Sequence, residues 1–241
     1  MSNLIYPSQS PIDLGKANAI THQFPPSYFH REWNTEEIGK IDGYGEHCEI
    51  NFENSKSFLN LVLPGEDSPA RFSLVKYHIH GQSEHRVSGH SYPIEMHIVH
   101  EKKINDALNN LPFRSIYVVV AIFIDIDSRV QDKKVNKAAD YFRRLVEIKT
   151  KSNSIELGNS MDLHPVSPSH FLPDNPEEYY RYEGSLTTNR SAPNPEFASW
   201  IVLKNPKLLP EKYIHNFLAK YRHEPKEVQP LERRFVFFNP S

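Results

Sequence analysis

The chain is poor in cysteine and in glycine. Cys48 is the single cysteine of the 241 residues, so no disulfide can form within the chain. We interpret it as a small, buried, apolar side chain. Only 9 glycines stand against 19 prolines, and few segments show long helical periodicity. This composition favours strands joined by rigid loops over a mainly helical protein.

Three further absences limit the function classes. No run of about 18 apolar residues occurs, so the sequence predicts no membrane-spanning helix. The net charge of −2 provides no basic surface for nucleic acid or for an anionic membrane. Residues 1–15 lack the basic and apolar regions of a signal peptide. We therefore expect a cytoplasmic protein; a secreted or periplasmic chain whose leader had been removed would look the same.

The length and composition fit one globular domain. At 241 residues the chain is long enough to bury a core without disulfides, and 38% of its residues are hydrophobic. No repeat, low-complexity tract or linker divides it. We predict an N-terminal tail over residues 1–9 and a single domain over residues 10–241.

Period-two alternation and β-branched runs predict strands along most of the chain. Ser115–Ile126 is apolar almost throughout, the pattern of a central strand that is covered on both faces. From Asp132 onward, Ala139 and Phe142 belong to a helical spacing that predicts one amphipathic helix of about four turns. Further strands are predicted at 49–52, 58–63, 72–80, 92–100, 200–203 and 234–238, with shorter ones within 10–14, 18–47 and 81–89, a short helix at 210–221 and a loop at 158–182.

Residues 76–100 hold six of the thirteen histidines. In an extended chain, His78 and His80 project from the same face, with Cα atoms roughly 6.5 Å apart. Two such imidazoles can converge on one metal ion, and a third ligand from a neighbouring antiparallel strand would complete the site. A three-histidine site with its fourth position open to water is the arrangement of catalytic zinc.

Several separated motifs accompany this cluster, in a fixed order. They are Ser83-Glu84-His85, EMHIVH at 95–100, IKTK at 148–151, GSLTT at 184–188 and WIVLK at 200–204. With them the chain resembles the α-class carbonic anhydrases, from residue 10 to residue 231. The resemblance implies a mainly β, single-domain fold: a twisted, mostly antiparallel sheet of about ten strands with a few short peripheral helices.

The resemblance also implies a zinc lyase. Its zinc ligands fall on His78, His80 and His97. The implied reaction is the reversible hydration of CO₂ to bicarbonate and a proton by zinc-bound hydroxide, with sulfonamides or anions as inhibitors. Two alternatives remain: a catalytically silent binding module of the same family, and a histidine-rich metal store.

Other residues take roles from the same resemblance. Glu84 and Thr187 would orient the zinc-bound hydroxide, and Thr188 would line the substrate side. Glu95 lies two residues before His97, on the same strand face, and would accept the other ring proton of that ligand. The apolar pocket for CO₂ falls on Val99, Val119, Leu186 and Trp200. We expect His85, His90 and His100 to be structural or exposed.

The chain departs from the family pattern at several points. Lys76 replaces the usual glutamine two residues before the first ligand and has no acceptor for that histidine. Gly81 replaces a tryptophan, and Asn189-Arg190 replaces a proline pair. The proton-shuttle position falls on Glu46, with His47 one residue later. One residue reverses the facing along a strand, so we expect slow proton export unless His47 or another histidine substitutes.

Overall fold

The computed structural model describes residues 9–33, 36–42, 48–104, 115–127, 137–152, 161–162, 165–187, 196–221 and 224–241. Most of the predicted N-terminal tail therefore lies outside the described residues. Short 3-10 helices span Lys16–Asn18 and Pro168–Phe171. The strands are β1 (Asp13–Leu14), β2 (Ile20–Thr21), β3 (Phe29–Glu32), β4 (Lys40–Asp42), β5 (Cys48–Asn51), β6 (Phe58–Leu61), β7 (Ala70–Gly81), β8 (Arg86–Val87), β9 (Ile94–Lys103), β10 (Ser115–Ile126), β11 (Met161–Asp162), β12 (Tyr179–Ser185), β13 (Phe197–Leu203), β14 (Lys207–Leu209) and β15 (Phe237–Asn239), and the helices are α1 (Lys137–Ser152) and α2 (Glu211–Lys220).

One large mixed sheet dominates the described part of the chain. Ten of its thirteen strands follow the order β11-β4-β5-β7-β9-β10-β13-β12-β15-β2; of the other three, β6 pairs with β7 and β3, and β14 pairs with β10. Most pairs are antiparallel; β10 runs parallel to β13 and β14, and β15 runs parallel to β2. The predicted fold class, a mostly antiparallel sheet with few helices, is confirmed.

The two faces of the sheet carry different cores because side chains alternate along each strand. One face presents residues such as Ile98 and Val120, and buried side chains of α1 and α2, among them Phe142 and Phe217, belong to the same apolar cluster. The opposite face presents a second cluster that contains Trp200. His78, His80 and His97 project from this second face, away from the helices.

The predicted helix is present as α1. Ala139 and Phe142 are buried, as its amphipathic spacing requires, and the helix continues to Ser152. Its predicted beginning near Asp132 lies outside the described residues. No helix in the described ranges is long and apolar enough to cross a membrane.

Two predictions about the C-terminal half are wrong in their limits. The segment 158–182 is not a loop throughout, since β12 begins at Tyr179. The last proline of this segment is Pro176. The strand that follows was not predicted because Tyr179, Tyr180 and Tyr182 are all buried, so polar and apolar residues do not alternate along it. The last strand begins at Phe237 rather than at residue 234, because Arg234 closes a turn onto the carbonyl of Leu231.

Candidate metal centre

Two adjacent antiparallel strands bring the predicted ligands together. His78 of β7 lies directly opposite His97 of β9, and His80 lies opposite Glu95. Both strands are interior, because β7 also pairs with β5 and β6, and β9 also pairs with β10. The histidines therefore project from the most extensively paired part of the sheet.

The three histidines form a compact nitrogen cluster. One ring nitrogen from each lies within 4.8 Å of the other two. Their exposed fractions are 5% for His78 and 2% for His80 and His97. Three nitrogens bound about 2 Å from a tetrahedral zinc ion lie roughly 3.3 Å apart, which small side-chain rotations would achieve here. The donor set and its spacing fit zinc.

Glu95 fixes the orientation of His97, the third predicted ligand. Its Oε1 accepts a hydrogen bond of 2.8 Å from Nε2 of His97. This bond leaves Nδ1 as the nitrogen of His97 that can bind a metal. The same oxygen lies 2.6 Å from Nδ1 of His85, and Oε2 accepts the backbone N–H of His85 at 2.8 Å. The predicted role of Glu95 as acceptor for His97 agrees with this geometry.

The charge of Glu95 is stabilised although the residue is fully buried. Burial alone would raise its pKa, but His85 and His97 outweigh that effect and hold its pKa well below the ordinary 4.5. Glu95, His85 and His97 are also close enough to surround an ion. Their separations of 2.6 and 2.8 Å are those of hydrogen bonds, so we interpret this group as proton-sharing support for the ligand.

The imidazole of His78 is favoured in its neutral form. Burial lowers its pKa well below 6.5, and the neighbouring His80, His97 and Lys76 lower it further. A histidine must be neutral to bind a metal.

His85 extends the support away from the metal centre. Its Nε2 lies 2.6 Å from the hydroxyl of Tyr182, which lies 2.9 Å from Oγ of Ser10. Ser10 also accepts the backbone N–H of Ser185 at 3.2 Å. A chain of buried polar groups thus connects His97 to the N-terminal segment and to the end of β12. Sequence reasoning assigned no such role to Tyr182 or Ser10.

Glu84 is held by a distant part of the chain. Its Oε1 accepts the backbone N–H of Lys226 at 3.1 Å. Its buried Oε2 lies 3.4 Å from Nε2 of His80 and makes no hydrogen bond within the described part of the chain. This carboxylate oxygen faces the metal centre and can accept a further hydrogen bond.

Lys76 has a partner on the neighbouring strand. Its ammonium donates to Oε2 of Glu49 at 2.9 Å. Glu49 is the residue of β5 that lies directly opposite His78. The departure from the family pattern at Lys76 is therefore matched by an acidic residue beside the first ligand.

Comparison with known proteins identifies the family. A model of the eukaryotic-type carbonic anhydrases matches residues 4–239. The chain belongs to this family.

Individual relatives of the family are distant. A putative carbonic anhydrase 5 of Caenorhabditis elegans is 29% identical over 75% of this chain, and the match spans 58% of that protein's length. Carbonic anhydrase 1 of Oryctolagus cuniculus is 26% identical over 95% of this chain and 97% of its own length. The α-carbonic anhydrase of Thermovibrio ammonificans, solved with the inhibitor sulfanilamide, superposes with a TM-score of 0.69 at 26% identity, covering 97% of this chain and 88% of that chain.

The predicted substrate-pocket residues lie beside the metal centre. Val99, Val119 and Trp200 occupy adjacent positions across β9, β10 and β13, two residues along from His97 and on the same face. All three are buried, and the Trp200 ring centre lies 4.9 Å from that of His97. Leu186 is partly buried and packs against the same cluster. This arrangement forms an apolar surface next to the three histidines.

The remaining predicted site residues differ in what the structure describes. Thr187 is buried, with 4% of its surface exposed, just after the end of β12. Thr188 and the predicted shuttle residues Glu46 and His47 lie outside the described residues, so their roles stay predictions.

The other histidines of the cluster lie away from the metal centre or support it. His90 is exposed and its ring meets Tyr92 edge-on. His100 is fully buried on the helix-bearing face, where its Nε2 accepts a hydrogen bond of 3.0 Å from the indole of Trp33. Its Nδ1 lies 3.1 Å from the carbonyl oxygen of Ile98, so Nδ1 carries the proton. Burial lowers the pKa of His100 to about 3.

Gly81 has a steric reason to replace the family's tryptophan. A Cβ at this position would lie 2.6 Å from the backbone carbonyl oxygen of Tyr221 and 3.1 Å from the side chain of Leu218. Backbone atoms cannot move aside as a flexible side chain can. The C-terminal end of α2 therefore packs directly onto the residue that follows His80.

Proposed function

We propose that the protein is an active carbonic anhydrase that interconverts CO₂ and bicarbonate at a zinc ion held by His78, His80 and His97. The observation that carries this proposal is the cluster of three ring nitrogens within 4.8 Å, in which Nε2 of His97 is already bonded to Glu95. A family member that only binds a partner would have no need for a buried ligand set with its supporting carboxylate. Zinc bound there would act as a Lewis acid and lower the pKa of a coordinated water, as it does in carbonic anhydrases generally.

Glu95 and His85 position the third ligand. The hydrogen bond to Glu95 selects the tautomer of His97 and increases its basicity. His85 holds Glu95 through a ring N–H and a backbone N–H. Because His97, Glu95 and His85 are all buried, the imidazole of His97 has one preferred orientation.

Thr187 and Glu84 determine the direction in which the reacting water points its proton. We assign to the Thr187 hydroxyl a hydrogen bond to Glu84, whose Oε2 makes no hydrogen bond within the described residues. A hydroxyl that donates to a carboxylate can only accept from the reacting water. The proton of that water then points at Thr187, and its lone pair points at the substrate.

The apolar surface binds CO₂. Val99, Val119 and Trp200 offer no hydrogen bond to a molecule that has no strong hydrogen-bonding groups of its own. They also exclude water from one side of the metal centre. Thr188 is proposed to line the substrate side. Glu46 and His47 are proposed at the proton exit, where a poorly placed histidine would make turnover depend on buffer.

The proposal is tested by zinc analysis together with stopped-flow CO₂ hydration. We expect one zinc ion per chain and hydration that a primary sulfonamide such as sulfanilamide abolishes. The His97→Ala variant should lose both zinc and activity, whereas His90→Ala, which changes an exposed histidine, should keep both. A metal-free, inactive protein that ignores sulfanilamide would establish the silent binding module instead. Stoichiometric zinc in His97→Ala would place the third ligand elsewhere.

A further inference from the structure

A cavity lies apart from the metal centre. It has a volume of about 340 Å³ and is lined by residues 181–183 in the middle of β12, by Phe237 of β15, by residues 233–235, by Pro64 and by the loop before β3. None of the three metal-centre histidines lines it. Cavities of about 300 Å³ and more, mostly apolar with a few polar groups, are typical of small-molecule sites.

Aromatic rings form most of the apolar lining. Phe24 stacks on Tyr28 with ring centres 4.0 Å apart, and it meets Phe237 edge-on at 6.0 Å. Phe235 is 68% exposed, the largest value among the big apolar side chains of the described residues. An exposed phenylalanine beside partly buried rings offers the apolar part of a ligand a surface on two sides.

The charged lining is positive. It comprises Arg181, Arg233, Arg234 and Glu183, a net charge of +2. Glu183 accepts a hydrogen bond from Arg181, so these two charges offset each other. The two remaining guanidinium groups give the cavity its net charge.

The hydrogen bonds that hold Arg234 in the described structure go to neutral groups. Its N–H groups donate to the carbonyl oxygens of Leu231, Gln9 and Pro230 at 3.1, 2.7 and 2.7 Å. Carbonyl oxygens fix the position of the guanidinium without neutralising it. Burial lowers the pKa of Arg234 by more than the neighbouring charge of Glu232 raises it, so enclosure disfavours the charged form at a cost. An anion in the cavity would offset that cost, and a guanidinium with five N–H groups still has donors to offer.

The backbone presents these side chains to the cavity through an uncommon conformation. Glu232 and Arg233 are consecutive residues with φ of 50° and 66°, in the left-handed region. Such residues persist where the surrounding structure holds them. The turn they make allows three successive side chains, those of residues 233–235, to line the same cavity.

We propose that this cavity binds a small organic anion with an aromatic or branched apolar body and a single carboxylate. The rings of Phe24, Phe235 and Phe237 contact the apolar body. The carboxylate lies between Arg233 and Arg234, where charge-assisted hydrogen bonds are roughly twice as strong as neutral ones. The site is independent of the proposed zinc chemistry, because no group of the metal centre takes part in it.

The cavity nevertheless shares one residue, Tyr182, with the hydrogen-bonded groups that support His97. The ring of Tyr182 lines the cavity beneath the guanidinium of Arg234. The central carbon of that guanidinium lies 5.8 Å from the centre of the ring. The hydroxyl of the same residue lies 2.6 Å from His85. Binding in the cavity should therefore shift the ring resonances of Tyr182 in an NMR spectrum, while the metal ligands keep theirs.

The test is calorimetric titration of the zinc-loaded protein with 3-phenylpropionate, in the presence of saturating sulfanilamide so that the carboxylate cannot occupy the metal centre. We expect one binding site per chain. The neutral analogue 3-phenylpropan-1-ol should bind at least about 10-fold more weakly, because it lacks the charged acceptor. Absence of heat with 3-phenylpropionate, or equal affinity for the alcohol, would overturn the proposal.

Two exposed side chains locate the site. Arg233→Gln should weaken 3-phenylpropionate about 10-fold, and Phe235→Ala should weaken both probes. The matched controls are Arg86→Gln and Ile38→Ala, which change exposed residues elsewhere and should leave the affinity unchanged. If Arg233→Gln behaves as Arg86→Gln does, or if the probe binds only when sulfanilamide is absent, the anion site is not this cavity. The result does not depend on whether the protein hydrates CO₂.

Discussion

Lys76 and Glu49 form an ion pair of 2.9 Å across β7 and β5, beside the first proposed zinc ligand. Their side chains are 25% and 29% exposed, so solvent screens the pair only in part. The pair places a cation and an anion at a position where the family usually has a neutral glutamine. Its net charge is zero only while both residues are present.

Changing either member of this pair should alter anion binding in opposite directions. Lys76→Gln leaves the charge of Glu49 uncompensated and should weaken inhibition by iodide roughly 3- to 10-fold. Glu49→Gln leaves the ammonium uncompensated and should strengthen it by a similar factor. The inhibition constant of CO₂ hydration measures both, and the double variant should return near the parent value. Lys103→Gln, at the exposed end of β9, is the control. A shift in the same direction for both single variants would contradict the assignment.

Replacing Glu95 by glutamine should weaken zinc binding while the fold is retained. The amide keeps the shape of the side chain but loses the charge that His85 and His97 share. We expect a loss of about 10- to 100-fold in zinc affinity, measured by competition with a chromophoric chelator. Glu101→Gln, further along the same strand, should change the affinity little. Unchanged zinc affinity in Glu95→Gln would show that the carboxylate does not orient the ligand.

Removing the hydroxyl of Tyr182 should lower the free energy of unfolding by more than removing the hydroxyl of Tyr180 on the same strand. Tyr182→Phe leaves the buried His85 and Ser10 without the group between them. The expected cost is about 1–3 kcal/mol in the free energy of unfolding, measured with urea. Tyr180→Phe removes the same atom from a ring that is equally buried, but from outside this chain of hydrogen bonds, and should cost less. Equal losses in the two variants would mean that the buried hydroxyl does not link His85 to Ser10.

His100 should make the folded protein sensitive to acid. Its pKa is about 3 in the folded state, below the ordinary 6.5, because it is buried. Between these two pH values the unfolded chain binds a proton that the folded protein does not. Above pH 6.5, His100 therefore takes little from the free energy of unfolding. Below pH 6.5 this free energy falls as the pH decreases, by up to about 1.4 kcal/mol per pH unit from this residue.

The measurement is urea unfolding at pH 7.5 and pH 5.5. His100→Gln should lose about 1 kcal/mol less than the parent between the two conditions, whatever its stability at pH 7.5. His90→Gln, which changes an exposed histidine, should keep the parent's pH dependence. An undiminished acid loss in His100→Gln would show that another group is responsible.

Those parts of the site that depend on residues close together in the sequence could be predicted. The alternation of β7 and β9 places His78, His80 and His97 on one face, and the spacing of two residues puts Glu95 beside His97. The outer support could not be found in this way. Tyr182 lies 97 residues from His85, and Ser10 lies 172 residues from Tyr182. Nothing local to those residues shows that the fold brings them together.

The missed strands have equally physical causes. β14 is three residues long and forms on the edge of β10, so pairing rather than propensity creates it. Tyr179–Ser185 follows a proline-rich segment, and its buried aromatic residues show no alternation of polar and apolar types. Gly81 departs from the family pattern because of the carbonyl of Tyr221, a contact that only the folded chain contains.

The interior position of β7 and β9 has a consequence for the lifetime of any metal that the three histidines bind. Amide hydrogens in strands that are paired on both sides exchange with solvent last, since their exposure requires opening of the whole sheet. The backbone that carries all three histidines belongs to this slowest group. We therefore expect that a metal bound there is not released by local unfolding of these strands, and that the three backbone positions separate only when the molecule unfolds globally.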